Sequence, residues 1–328
     1  MKTFNGREYL QIDIANCFGL DRLNWEDRLH WFDNNEPDLE QLRSLAKSPV
    51  LYGKAVRAWR EGCSGKPINH NMGLDATASG VQIMACLSGC VKTGLAVNLV
   101  NTGNREDLYE RMATTMSQHP NVTTTRDELK KPTMTVFYGS TAQPREILGE
   151  GDALEAFYET LATELPGAYF LVDVLQSYWR PDVEFHRWTL PDGHVARVPV
   201  TRVVEKSLEI DEANHKRVTY RCKVVHPAPY SRSLAANIVH SVDAWVCRQM
   251  VQASKKQGFW MAPIHDCFYA HPNHMNQVRE NYVKILSWLA QNNILQGILS
   301  EIAGRRVKYK PEQSHLDYYI EHSEYALS

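Results

Sequence analysis

The sequence predicts an α+β chain, mostly helical with few strands, and three observations carry this. Apolar residues recur at helical spacing, as at Leu234, Ile238, Val242, Val246 and Met250. Strand-type runs at 183–189 and 194–204 flank Leu190-Pro191-Asp192-Gly193, a hairpin signal. Two short apolar runs, 259–264 and 267–270, enclose a polar His265-Asp266 tip, which suits a tight hairpin reaching into a cleft.

Each element follows from its local pattern. Residues 24–47 set Trp25, Leu29, Phe32, Leu39, Leu42 and Leu45 among many charges, and Pro37 divides the run into two helices joined at 34–37. Met72 and Leu74 lead as a short strand to Asp75. A helix occupies 79–100, ending near Gly89 or Gly94. The next covers 126–138, with Thr123, Thr124 and Thr125 as candidate caps. Its interior Pro132 predicts a late start or a kink. An amphipathic helix pair at 152–179 breaks at 166–167. After the first hairpin, a second strand pair at 201–209 and 217–226 is joined by the polar stretch 211–216. Helices are expected again at 232–257 and 274–300.

The bulk numbers bound the function. The 328 residues amount to about two domains' worth of chain. Hydrophobic content of 43% and charged content of 23% are ordinary for a globular protein that needs no disulfides. An odd count of seven cysteines and no secretory pattern predict reduced thiols and a cytoplasmic setting. Cys86 and Cys90 lie four apart without a second pair at zinc spacing, so no zinc site is expected. No run approaches the ~18 apolar residues of a membrane span, so no membrane partner is expected. The net charge of −2 predicts that any nucleic acid is held through a local basic patch or a partner.

Three constellations could carry chemistry. In DATASGVQ at 75–82, a strand ends in a carboxylate before small residues that let a metal and a phosphate approach the backbone. The plainer alternative is an Asp capping the next helix. In RDELKKPTMTVFYGS at 126–140, Arg126, Lys130, Met134 and Tyr138 recur every four residues as one stripe. The two neighbouring cations call for an anion between them, which a triphosphate would supply. The alternative is a solvated basic face with a core tyrosine. In APIHDCF at 262–268, Asp266 sits between apolar strands, which is costly unless a cation neutralises it.

In this order, DATASGVQ, R-x3-K-x7-YGS and the His265-Asp266 tip resemble motifs A, B and C of the single-subunit RNA polymerases of phages and mitochondria. The likeness extends to IANCFGLDRL at 14–23, VNLV at 97–100, RWTLPDGHVARVP at 187–199, SLAANIVHSVD at 233–243 and the final EHSEYALS. The resemblance implies a right-hand polymerase palm and fingers with a small antiparallel palm sheet. Residues 1–92 would form the first part of the palm, 93–240 the fingers and 241–328 the second part of the palm with a C-terminal foot. Residues 201–226 would occupy the family's specificity-loop region.

The implied roles fall residue by residue. Asp75 and Asp266, with the backbone carbonyl of Ala76, would ligate two Mg²⁺ ions. Arg126 and Lys130 would contact the triphosphate, and Lys130 would also donate a proton to pyrophosphate. Tyr138 would lie beside the incoming nucleotide, and His240 would reach its sugar. Gly139 would give the template base room, with Ser140 beside it. Related DNA polymerases carry a bulky Glu where this chain has Gly80, so the open position favours ribonucleoside triphosphates. Val242 and Ile83 depart from the family pattern near the sugar and template contacts, but neither is a metal ligand. The family's N-terminal domain, its thumb and an Asp-x-x-Gly-Arg segment find no match. The closest resemblance is therefore to the larger subunit of split, two-chain podophage RNA polymerases, with a second subunit supplying those parts. DNA template and RNA product would be the other partners, and single-stranded or pre-melted templates would be preferred. Two rival classes are a non-catalytic DNA-binding accessory subunit and a His-Asp metal phosphohydrolase using His240 and His265-Asp266. A DNA polymerase is opposed by Gly80.

Overall fold

The computed structural model describes residues 1–225 and 233–328. The side chains of residues 201, 202, 223 and 225 lie outside that description, as do positions 226 and 232 of the expected strand and helix. The fold is α+β with small antiparallel sheets, as the periodicities predict. Among the described residues no helix is long and apolar enough to cross a membrane.

The first quarter is more helical than the sequence reading expected. Helix α1 (Gly6–Ala15) begins at Asn5, whose side chain accepts from the Arg7 and Glu8 amides while Glu8 reaches back to the Asn5 amide. Helix α2 (Trp25–Asn35) matches expectation, but its expected successor does not form. Residues Glu36–Asp38 and Gln41–Leu45 make two short 3-10 turns instead. Pro37 limits the segment to tight turns, and α3 (Pro49–Cys63) then starts with proline in its first turn.

Strand β1 (Met72–Asp75) runs into α4 (Ser79–Ser88), whose residues from Val81 onward are all buried. A helix that is buried all round is a core axis. Its one large polar side chain, Gln82, is fully satisfied there. The Gln82 amide donates to the carbonyls of Val97 and Ala326, both at 2.9 Å, and accepts from the Tyr282 hydroxyl at 2.6 Å. Gly89 closes α4 with a left-handed φ of 71°. A Cβ there would stand 2.4 Å from the Glu312 carbonyl oxygen, which is backbone and cannot swing aside. Gly89→Ala is therefore expected to cost about 2–4 kcal/mol, from left-handed strain plus overlap. Urea denaturation checks this, and a loss under about 1 kcal/mol would mean that the segment around Glu312 yields.

Short α5 (Val91–Ala96) and α6 (Leu108–Met116) lead to α7 (Arg126–Val136). Thr125 caps α7, with Glu128 completing the capping box, so the late start expected from Pro132 does not occur. The helix continues through buried Pro132 for another turn. Helix α8 (Ala142–Leu148) follows, then α9 (Asp152–Glu164) and α10 (Pro166–Ser177), broken at the expected proline.

Strands β2 (Phe185–Thr189) and β3 (Val195–Pro199) form the expected hairpin. The run 194–204 divides at Val200, whose amide pairs with Glu184. Strands β4 (Thr201–Ile210) and β5 (Lys216–Val225) then make a separate, largely exposed ribbon. Helix α11 (Ser233–Lys256) returns to the core and packs on α4. Strands β6 (Met261–Ile264) and β7 (Cys267–Ala270) form the hairpin with His265-Asp266 at its tip. Finally, α12 (Met275–Gln291) and α13 (Ile294–Ala303) replace the single helix expected at 274–300. The break falls at Asn293, whose side chain caps α13 through the Gln296 amide. Helix α14 (Leu316–Glu321) precedes the terminal segment.

Candidate active site

The central sheet has the order β1-β7-β6, and its register sets Asp75 opposite Cys267. The end of β1 therefore lies beside the β6–β7 tip, where the Ala76 amide donates to the Asp266 carbonyl at 3.0 Å. His265 makes that tip possible by adopting a left-handed φ of 55°. On the other side of β1, the chain end adds a bridge between Ala76 and Leu327. The Ser328 amide donates to the Asp75 carbonyl, and the Thr77 amide to that of Ala326. Neither bond uses the Ala76 carbonyl.

Two carboxylates far apart in sequence thus meet at one edge of the sheet. Asp75 is exposed. Asp266 is held above the usual carboxylate range, first by burial and then by the charge of Asp75. A divalent cation between them would relieve the desolvation and the repulsion together. Paired carboxylates with a nearby carbonyl are the hard oxygen donors Mg²⁺ takes, so the residues fit that ion. The Cys267 thiol bonds to Asp75 and is held protonated, first by burial and then by that carboxylate, so it acts as a donor rather than a soft ligand.

A narrow cavity of about 80 Å³ opens beside Asp266, with Ser79, Gly80, Tyr109, Met134 and Tyr138 among its lining residues. Tyr138 lies just past α7, its amide bonded to Thr135, and not on the helix itself as the four-residue stripe implied. Its ring stacks on His240 with centroids 4.7 Å apart and planes at 16°. Partial burial lowers the His240 pKa, so the imidazole is neutral near pH 7. The stack shows why residue 80 is small: a Cβ there would lie 3.2 Å from the Tyr138 hydroxyl.

The other expected positions divide. Lys130 is exposed and has no ion pair among the described residues. Arg126 already has its anion, which corrects the argument that the cationic stripe needs a triphosphate. Its guanidinium bonds Asp107 at 2.8 Å and Asp127 at 2.9 Å, over the Tyr109 ring. Gly139 and Ser140 do not line the Tyr138 cavity. They border a separate one of about 340 Å³ with Arg145, Tyr158, Tyr169 and Asp173. Gly139 also stops α7, with φ of 80° and its amide on the Val136 carbonyl at 2.8 Å.

The sequence reading missed three residues here. The Ser79 hydroxyl hydrogen-bonds to the carboxyl groups of both Asp266 and Asp243. Asp243 is pushed up to about 6, by burial first and then by Asp266. One signal for it was available: it follows His240 by three residues and so shares that face of α11. Cys267 could be placed only through strand register. Among the described residues, the one trio with ligand atoms all within 4.8 Å of one another is Glu209, Asp211 and His215, exposed on the β4–β5 ribbon. His240 and His265-Asp266 form no such set, which speaks against the phosphohydrolase alternative.

With this geometry in place, comparison with known proteins is informative. The model of the DNA-dependent RNA polymerase family matches residues 195–325, which include His240 and Asp266. A probable DNA-directed RNA polymerase of Gelasinospora sp. (strain G114) is 25% identical over 88% of this chain and 42% of its own length. The DNA-directed RNA polymerase of Pseudomonas phage phiKMV is 23% identical over 86% of this chain and 43% of its own. The mitochondrial DNA-directed RNA polymerase 1 of Nicotiana sylvestris is 24% identical over 95% and 37%. The chain therefore spans less than half the length of these relatives.

Proposed function

We propose that this chain, a relative of the DNA-directed RNA polymerases of phages and mitochondria, carries the catalytic centre for template-directed ribonucleotide transfer. The observation that supports this best is the meeting of Asp75 and Asp266 at one sheet edge, beside a cavity bounded by Gly80 and Tyr138. In this reading residues 1–92 and 241–328 are palm and 93–240 are fingers.

Asp75, Asp266 and the Ala76 carbonyl would hold two Mg²⁺ ions. Bound there, the ions supply activation of a primer 3′-hydroxyl and neutralisation of the departing pyrophosphate. The chain's own groups do the rest. Unpaired Lys130 is free to bond the triphosphate and to donate a proton to the leaving group. Arg126 reaches a phosphate only by sharing or leaving Asp107. The Tyr138–His240 stack forms a wall for the nucleotide, and neutral His240 can accept from a ribose hydroxyl. Gly139 and Ser140 would face the template from the neighbouring cavity. The rest of each relative's length has no counterpart in the matched region. Surfaces that complete template binding would come from further polypeptide, and a second polymerase subunit is our reading of its source.

The test is extension of an RNA primer on a DNA template with Mg²⁺, with ribonucleotides against deoxyribonucleotides, for the chain alone and with lysate of its source. Ribonucleotide addition supports the reading, and dependence on lysate supports the second subunit. No addition under either condition withdraws it in favour of an accessory, non-catalytic role.

Gly80→Glu probes sugar choice. The new side chain must displace the Tyr138 hydroxyl and fill the space beside it. Ribose-over-deoxyribose preference in kcat/KM is expected to fall about tenfold or more, a difference of roughly 1.4 kcal/mol. Equal loss for both sugars would show that the variant merely collapses the cavity.

A further inference from the structure

We infer that Asp243 is a positioning residue for the metal centre, fixing the Asp266 carboxylate through the hydroxyl of Ser79. The inference deepens the proposed polymerase reading and rests on it. Residues three and four apart share a helix face, so His240, Asp243 and Cys247 form one stripe on α11. Both ends of that stripe are anchored. His240 stacks on Tyr138, and the Cys247 thiol donates to the His265 carbonyl at 3.2 Å. Asp243 lies between these anchors, so the stripe holds it over the β6–β7 tip.

Ser79 joins the two carboxylates, being within hydrogen-bond reach of both. It opens α4 immediately after Ala78, which takes a left-handed φ of 53°. That turn follows directly from Asp75, so one short segment carries the first carboxylate and the hydroxyl that holds the second. A hydroxyl donates one proton at a time. Asp243 therefore competes for it and sets which way Asp266 is turned.

Asp243 is not itself a ligand of a shared ion. It forms no trio with Asp75 and Asp266 among the described residues at the 4.8 Å spacing that a common ion requires. A half-exposed structural Asp would ordinarily pair with a cation or an amide. This one is three-quarters buried beside another carboxylate, an arrangement that costs stability. Outer partners of metal ligands characteristically set ligand orientation, and their loss weakens metal binding about 10–100-fold.

The test measures Mn²⁺ binding by electron paramagnetic resonance, independently of activity, on the full chain with primer–template. Wild type, Asp243→Ala, Asp243→Asn, Ser79→Ala and the Asp243→Ala/Ser79→Ala double variant are compared. Urea unfolding and the Mg²⁺ concentration for half-maximal extension are measured alongside. Asp243→Ala and Ser79→Ala should each weaken Mn²⁺ binding about tenfold, with the double variant no worse than either. The Mg²⁺ requirement should rise by a similar factor. Asp243→Asn, which keeps a hydrogen-bonding side chain of the same shape, should recover most of the affinity. If Asp243→Ala does not fold, Ser79→Ala still decides, because it leaves both carboxylates in place. Wild-type affinity in Asp243→Ala or Ser79→Ala overturns the inference, as do fully additive losses. Absence of Asp266-dependent Mn²⁺ binding in the wild type also overturns it. Mn²⁺ binding that needs Asp266 and Asp243 without any nucleotide addition would sink the polymerase reading and leave this one standing.

Discussion

Asp266→Asn is expected to lower ribonucleotide addition by about 10³-fold or more, equivalent to roughly 4 kcal/mol of transition-state stabilisation from the ions the site would hold. The fold should not suffer. Asn keeps the size of the side chain and can still bond Ser79, while the repulsion from Asp75 disappears. The pH dependence has a definite sign. The folded-state pKa of Asp266 is raised above the unfolded value, so its charged form is a cost that grows as pH rises through the folded value. In EDTA near neutral pH, Asp266→Asn should therefore unfold at the same or higher urea concentration than wild type. The difference should vanish in acid, below the unfolded value of about 3.9, where the wild-type carboxyl is neutral in both states. Extension assays and urea titrations at two pH values check both halves. Activity within tenfold of wild type would remove Asp266 from the centre, and a clear loss of stability would make it a structural residue.

Arg279→Met is expected to cost about 3–5 kcal/mol of folding stability, the range for breaking a buried ion pair. Arg279 is 1% exposed. It donates to the Lys2 carbonyl at 2.8 Å, the Tyr9 hydroxyl at 3.1 Å and the Glu324 carbonyl at 3.0 Å, with the Glu324 carboxylate at 3.2 Å. It also lies over Trp25, whose other ring neighbours are Arg28 and Tyr325. Methionine fills the volume but leaves two carbonyls and a partly buried carboxylate without their donor. The damage should reach the site, because the segment after Glu324 carries the Leu327 bridge to Ala76 and the Ser328 bond to Asp75. Nucleotide addition should fall at temperatures where the variant remains folded. The exposed pair of Lys284 and Glu280 is the control, and Lys284→Met should change stability by less than about 1 kcal/mol. Urea denaturation of the two variants decides. A similar small effect in both would mean that water replaces the Arg279 bonds.

What the sequence determined by itself is what short windows encode. The Pro-Asp-Gly turn produced β2–β3 in the expected place, because a turn and its flanking strands are neighbours along the chain. Pro166 divided α9 from α10, Thr125 capped α7, and the two apolar runs around His265-Asp266 folded into β6–β7 for the same reason. Asp75 and Asp266 could be singled out because each sits at the end of such a local element. Only the tertiary structure decided what those ends meet. Nothing near Arg126 in sequence announces that Asp107 would neutralise it, and no periodicity separates Gly139 from Tyr138 into different cavities. The bond of Ser79 to Asp243, the closure of β1 by Leu327 and the clasp of Arg279 on Glu324 join residues remote along the chain. Hydrophobic period and turn chemistry act within a few residues and so are legible in the sequence. Side-chain pairing depends on where burial of the core brings distant segments together, and that is settled only when the chain is packed.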